Sequence, residues 1–335
     1  MTGPGNPHVS VLMSSHNGSR WLDAAIESVL AQSFRNFEFI IVDDGSTDDT
    51  PAIIQRYADR DARIVPISTE HSGLTASLNV GLARARGTWI ARLDDDDTCE
   101  PTRLAEQTAF LSAHPEVVLL GSGFLEIDED GHVVRRHAYP ADHRTLLQHL
   151  RRRKRFFPHS SAMFRRDALA GAPIYNPAFR KSQDMDLWLR LSETGAIACL
   201  PAPLVRVRKH PFQVSATAKG FSQVVYGTAA VTCYFLRRGG GEDPLSRSGG
   251  GNPEDFLRWI DSQLTVLGAH ARGRAWADAR AAYFSAGGGG RGLLRFAVKL
   301  LRSGQALSLL LERRFGSTVP ERLARAWLRR GHDHS

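Results

Sequence analysis

The sequence predicts an α/β fold, a doubly wound, mostly parallel sheet with a helical C-terminal extension, and two observations carry that expectation. Through the first 120 residues, short apolar runs of strand type alternate with stretches of 3.6-residue periodicity. Such alternation sets parallel strands beside crossover helices. Beyond residue 220 strand-type runs give way to helical pieces separated by glycine runs at 239–241, 249–251 and 287–290.

The elements follow in order. Val9 to Met13 is a first strand, ended by Ser14-Ser15-His16 and an Asn17-Gly18-Ser19 turn. Leu22, Ile26, Val29 and Leu30 then keep helical spacing. Phe37 to Val42 is a second strand, stopped by Asp43-Asp44-Gly45-Ser46. Thr50 is expected to cap the next helix, with Pro51 at its first position, where a missing N–H costs nothing. A strand at 63–67, a helix at 74–86, a strand at 89–93 and a helix from Pro101 complete the series. Residues 120–220 read as less regular, with an acidic turn at 128–131, a basic run at 151–155 ending a helix that carries Leu146, Leu147 and Leu150, and a helix from Gln183 to Leu191. The uncharged run 220–236 is interrupted by polar residues and falls short of the roughly 20 apolar residues a membrane span needs, so it reads as a buried helix.

Of 335 residues, 42% are hydrophobic and 23% charged, enough to bury a core without staples. The net charge of +8 is unevenly placed: residues 1–219 hold 26 basic and 26 acidic side chains, so residues 220–335 carry the whole excess. A nucleic-acid binder would spread basic residues over its recognition domain, so that class is set aside. A basic tail on a neutral body suits an anionic membrane surface. Cys99, Cys199 and Cys233 are far apart and form no CxxC pair, so the cysteines suggest neither a zinc site nor a disulfide framework. The first eight residues have no basic and apolar regions of a secretory signal, and the expected location is cytoplasmic.

In a doubly wound sheet ligands bind outside the carboxyl ends of the strands. Here those ends carry Asp43, Asp44 and Asp94 to Asp97. Six carboxylates at one crevice repel each other unless a cation neutralises them, whereas a single acidic loop would read as caps and solvation.

The motifs Val9–Met13, Ile41–Asp48, Gly73–Gly81, Gly87–Asp97 and Asp184–Arg190 occur in an order that resembles family 2 glycosyltransferases over roughly residues 8–212. The resemblance implies the A-type fold and an inverting transfer from a nucleotide diphosphate-sugar, UDP- or dTDP-linked, with Mn²⁺ or Mg²⁺ offsetting charge on the departing diphosphate. It places the DxD motif on Asp94-Asp95-Asp96, with Asp96 as metal ligand and Asp94 toward the ribose; Asp97 is expected to cap the helix near Pro101. It sets Asp44 at the base edge and Ser14 and His16 in the base pocket, and leaves Asp43 structural. The acceptor hydroxyl needs a general base, and the resemblance assigns Asp184, although Gln183 stands where Glu is usual. Asp186 is expected to be structural, at a helix N-terminus that favours carboxylates. His210 and Arg208 are placed near the metal or diphosphate, and His159 on the acceptor side. The absence of a Gln-x-x-Arg-Trp element implies transfer of one sugar per encounter.

The expected organisation is a catalytic domain at 1–219, with a nucleotide-sugar half at 1–120 and an acceptor half at 121–219, and a basic helical region at 220–335. In that region Arg291, Arg295, Lys299 and Arg302 form one helical stripe, and Arg322, Arg325 and Arg329 share a second helix with Leu323 and Trp327. These suit either the inner membrane face, with a glycan or lipid-linked acceptor, or ordinary packing on the body or in an oligomer. Two other functions fit parts of the pattern. Asp94 to Thr98 also reads as the DxDxT of aspartate-nucleophile phosphatases, and a nucleotide-sugar-binding module without catalysis would retain the fold alone.

Overall fold

The computed structural model describes residues 6–169, 174–210, 223–246, 252–267 and 318–332, together with Leu294 and Val298. The chain divides into two compact units, Met1–Lys219 and Gly220–Ser335.

The first unit is built on β1 (Val9–Ser15), α1 (Ser19–Leu30), β2 (Phe37–Asp44), α2 (Thr50–Ala58), β3 (Ile64–Thr69), α3 (Leu74–Arg84) and β4 (Trp89–Arg92). It continues through β5 (Thr98–Cys99), α4 (Arg103–Ala113), β6 (Val117–Ile127), β7 (Val133–His137), α5 (His143–Arg151), a 3₁₀ turn (His159–Ser161), β8 (Met163–Arg165), α6 (Gln183–Leu191) and β9 (Ala196–Arg208). The strands form one sheet in the order β3-β2-β1-β4-β8-β6-β9-β5, with β7 added on β6. Its first half is parallel, β1 matching Val9 to Phe37 of β2 and to Trp89 of β4. β8 runs antiparallel between β4 and β6, and β6 and β9 pair in parallel. The fold is therefore the expected mostly parallel α/β sheet. Residue 120 lies inside β6, so residues on either side of it share that sheet.

Period-2 alternation explains the layers. Val9, Val11 and Met13 of β1 and Phe37, Phe39 and Ile41 of β2 join one core with Leu22, Ile26 and Val29 of α1, Ile53 and Ile54 of α2, and Leu104 and Leu111 of α4. α3 packs on the same two strands. The interior strand residues are almost all buried, as helices on both faces of a parallel sheet require.

Two capping expectations are corrected. Thr50 is the first residue of α2; it is the Asp48 carboxylate that accepts its N–H, at 3.0 Å, while Thr50 Oγ1 accepts the Gly18 N–H. Asp97 does not cap α4, which starts at Arg103 with Thr102 at its N-cap; Asp97 is buried and bonded to Ser160 and Arg208. α5 ends at the basic run and buries Leu146 and Leu150.

In the second unit, α7 (Gln223–Arg238), α8 (Pro253–Val266) and the helix Thr318–His332 are described, and α7 packs against both others. α7 is buried along most of its length, as the uncharged run predicts. Leu323 is buried, and the Trp327 ring meets Phe256 at 4.7 Å and Trp259 at 4.9 Å. Leu323 and Trp327, the apolar pair expected on this helix, therefore pack inside their own unit, while Leu328 is exposed. The Arg291–Arg302 stripe and the glycine runs at 249–251 and 287–290 lie outside the described residues. No helix among the described residues is long and apolar enough to cross a membrane. Cys99, Cys199 and Cys233 are buried free thiols.

Candidate active site

β1 lies between β2 and β4, so the order of parallel strands reverses there, and the carboxyl ends of β1, β2 and β4 open on one crevice. The chain is drawn tight around it. At Gly18, just before α1, a Cβ would stand 2.1 Å from Asp95 Oδ2 and 2.5 Å from Ser15 Oγ. The absence of a side chain at Gly18 lets Ser15 and Asp95 meet directly beneath the start of α1. Asp48 joins α1 and α2 by accepting the N–H of Ser19 as well as that of Thr50. Partial burial works against ionisation, but the hydrogen bonds from Thr50 and Ser19 hold its carboxyl down at about 2.

The acidic loop divides its labour. Arg92, at the end of β4, is fully buried, and its guanidinium pairs with Asp94 and also reaches the carbonyl oxygens of Leu12 and Leu93. Burial would raise the Asp94 carboxyl, yet the Arg92 charge and the Ser160 hydroxyl keep it below its ordinary value. Ser160 Oγ bridges Asp94 and Asp97. Burial and the neighbouring Asp96 and Asp94 charges push Asp97 well up. Asp95 accepts the Ser15 hydroxyl, and burial with the Asp96 charge raises it to about 7. Asp96 meets His210 Nε2 at 2.8 Å; burial and the Asp94 charge push it up, and His210 draws it back.

Oxygens of Asp94, Asp96 and Asp97 lie within 4.8 Å of one another. An all-oxygen set in which like charges raise each other's proton affinity fits a hard divalent cation of the Mg²⁺ or Mn²⁺ type.

The other expected residues gather around this loop with different roles. Ser14 is buried at the end of β1. His16 is exposed and stacks on His71, ring centroids 4.0 Å apart. Asp44 is only 1% exposed, and its carboxylate accepts the N–H groups of Ser72 and Gly73, each at 2.9 Å. It fixes the loop that opens α3, and His16 and His71 lie against its backbone carbonyl. Asp43 holds the following turn through the Ser46 N–H, the structural part expected of it.

Asp184 stands in the first turn of α6 and accepts the Met185 N–H; burial and the Asp94 charge raise its carboxyl above the ordinary range. Asp186 is fully buried and pairs with Arg190 at 2.8 Å. His159 is buried against Tyr175, Nε2 to Oη 2.6 Å, and burial with the nearby Arg92 charge lowers it to about 3, so it is neutral at pH 7. Arg208, expected near the metal or diphosphate, lies beside the acidic loop. Its buried guanidinium donates to the carbonyls of Asp96, Asp128 and Glu129, tying the acidic loop to the 128–129 turn.

Sequence reasoning passed over Arg92, Ser160, Tyr175 and His71 as site residues. Arg92 left a signal, a lone charge inside the apolar run 89–93 directly before the aspartates. His71 left none beyond its place beside Ser72-Gly73.

Residues 10–171 match the family described as Glycosyl transferase family 2. The putative glycosyltransferase EpsE of Bacillus subtilis is 38% identical over 193 residues, covering 56% of this chain and 68% of that protein. The chain belongs to glycosyltransferase family 2. The amylovoran biosynthesis glycosyltransferase AmsE of Erwinia amylovora is 33% identical over 203 residues, 59% of this chain and 75% of that protein. Among solved structures, S. aureus TarS 1–349 in complex with UDP-GlcNAc superposes with a TM-score of 0.60 at 18% identity, over 96% of this chain and 92% of that one. A longer TarS chain gives 0.55 at 19% identity, over 68% of this chain and 39% of its own length. At that identity the likeness is one of fold. The family 2 chain is accordingly an enzyme, a glycosyltransferase, and the phosphatase and non-catalytic readings of Asp94–Thr98 fall away.

Proposed function

We propose that this family 2 glycosyltransferase transfers a single sugar, with inversion, from a UDP- or dTDP-sugar to a hydroxyl of a glycan or lipid-linked acceptor in surface polysaccharide assembly. The observation that carries the reading is the meeting of Asp94, Asp96 and Asp97 at the β1/β4 crevice, beside a carboxyl, Asp184, whose proton affinity is raised. The names of AmsE and of the TarS complex with UDP-GlcNAc support the pathway and the donor class.

In this reading residues 1–219 bind both substrates. Asp96, with Asp94, would hold Mn²⁺ or Mg²⁺, and the ion would supply Lewis-acid neutralisation of the charge that develops on the leaving diphosphate. Arg92 and Ser160 fix the Asp94 carboxylate, and Asp94 orients the ribose. Asp95 and Ser15 line the floor, and His16 with Ser14 the base end. Asp184 takes the acceptor hydroxyl proton as that oxygen attacks the anomeric carbon opposite the leaving diphosphate; burial and the Asp94 charge raise its affinity for that proton. His159, neutral and tied to Tyr175, packs behind Asp94. His210 balances Asp96. The work takes place at the cytoplasmic face of the membrane, the basic excess of residues 220–335 favouring an anionic surface.

The test is nucleoside diphosphate release from UDP-, dTDP- and GDP-sugars in Mn²⁺ with a lipid-linked saccharide acceptor. Release from one donor, abolished by EDTA, is expected. No metal-dependent release from any donor overturns the reading.

A further inference from the structure

We propose that His16, His71 and the Asp44 carboxylate form a binding site for a borderline divalent cation, Zn²⁺ foremost, and that the bound ion closes the base end of the crevice. The site stands on geometry alone; its consequence for a nucleobase rests on the donor reading above.

The two imidazoles converge. His16 Nδ1 is 2.8 Å and His71 Nδ1 3.1 Å from the Asp44 carbonyl oxygen, and His71 Nδ1 is 3.0 Å from Asp44 Oδ2. One ligand atom from each of the three residues lies within 4.8 Å of the others. A tetrahedral Zn²⁺ with bonds of about 2.0–2.1 Å sets its ligands roughly 3.3 Å apart, so modest side-chain movement closes the set. Without a metal each Nδ1–H donates to the Asp44 carbonyl oxygen; binding moves each ring's proton to Nε2 and turns the Nδ1 lone pair to the ion.

The surroundings are built to hold these groups. The Asp44 carboxylate is oriented by the Ser72 N–H and hydroxyl and by the Gly73 N–H, the outer bonds that position metal-binding carboxylates. At Gly45, φ is +69° and a Cβ would stand 2.7 Å from the His71 nitrogen, so glycine lets the His71 loop lie against the end of β2. The His71 side chain is 58% exposed, and His16 is exposed, which leaves an entry path from solvent.

The donor types separate this site from the acidic loop. Two imidazoles and one carboxylate select Zn²⁺, Cu²⁺ or Ni²⁺, whereas the all-oxygen group of Asp94, Asp96 and Asp97 suits Mg²⁺ or Mn²⁺. A cation held at the Nδ1 edges of His16 and His71 lies in their ring planes and locks the stacked pair, ring centroids 4.0 Å apart, so that a base cannot part the rings to enter. Millimolar Mn²⁺ and micromolar Zn²⁺ should therefore act in opposite directions.

The experiment is calorimetric titration of Zn²⁺ into the full chain carrying Asp96→Asn, which removes the other cation ligand, and into the same chain with His71→Asn or His132→Ala added. Equal melting temperatures without metal establish that all three are folded. One-site binding that weakens about tenfold or more with His71→Asn, and is unchanged with His132→Ala, is expected. Absence of binding, or identical titrations with and without His71, overturns the site. In the Asp96-containing protein, UDP binding in Mn²⁺ should weaken about tenfold in saturating Zn²⁺, and this loss should vanish in His71→Asn. UDP affinity indifferent to Zn²⁺ overturns the closing role. Failure of UDP to bind in Mn²⁺ alone overturns the donor reading, and the Zn²⁺ titration then decides the site by itself.

Discussion

Replacing Arg92 by Met removes the guanidinium beneath the acidic loop while keeping most of the side-chain volume. Arg92 is 0% exposed and its partner Asp94 is 32% exposed at the side chain. Deleting one member of a buried pair costs about 3–5 kcal/mol, because the other charge is stranded. Water recovers part of the Asp94 charge, which pulls the cost toward the lower bound. The carbonyls of Leu12 and Leu93 each lose a charged donor, about 1 kcal/mol apiece. In the other direction, Arg103 is buried in the same layer, donating to the Arg92 carbonyl, and burial with the Arg92 charge lowers its pKa, so removing Arg92 relieves a repulsion. The net expectation is about 3 kcal/mol, a fall of roughly 6–12 °C in melting temperature for a unit of this size. Thermal unfolding followed by circular dichroism in metal-free buffer measures it. Adding Asp94→Asn should recover about 1 kcal/mol or more, since the two side chains touch. A melting temperature within 2 °C of the unmodified chain, or strictly additive losses in the double variant, would refute the claim that Arg92 is the electrostatic floor of the loop.

Three further outcomes follow from the same geometry. Asp184→Asn should lower kcat by about 10²–10⁴-fold while UDP affinity stays unchanged; a parallel loss of affinity contradicts the base assignment. Because burial and Asp94 raise the Asp184 carboxyl and a base works ionised, activity should be full above that raised pKa and fall as pH drops through it, and the residual activity of Asp184→Asn should lack this limb. Asp48, held at about 2 against about 3.9 in an unfolded chain, contributes stability that is present above pH ~4 and lost between pH ~4 and ~2. Urea unfolding of Asp48→Asn should show a smaller loss across that window, and an unchanged acid limb would count against the α1–α2 link.

The first half of the fold was legible because each element obeys one local rule. Runs such as Phe37–Val42 are apolar throughout, and Leu22, Ile26 and Val29 keep helical spacing. β6 and β9 were not recognised as strands. β9 is interrupted by Pro201 and Pro203 at a register shift, and β6 carries Gly121 and Gly123, so their pairing with each other, not their own sequences, makes them strands. At the site, aspartates were legible as a group because like charges demand compensation. Their individual duties were not: Asp97 reads as a cap by spacing, yet Ser160 and Arg208, distant in sequence, draw it into the interior. Arg208 reads as a candidate contact of the metal or diphosphate, but the carbonyls of Asp128 and Glu129 exist as its partners only after β9 returns beside β6.

In the proposed mechanism the crevice binds a nucleoside diphosphate through a cation held by Asp96. Isothermal titration of UDP into the chain and its Asp96→Asn variant, each in Mn²⁺ and in EDTA, tests it most directly. Binding to the unmodified chain in Mn²⁺ should weaken at least about tenfold in EDTA, and binding to the variant should be weak and metal-independent. Equal affinity in all four titrations would contradict it.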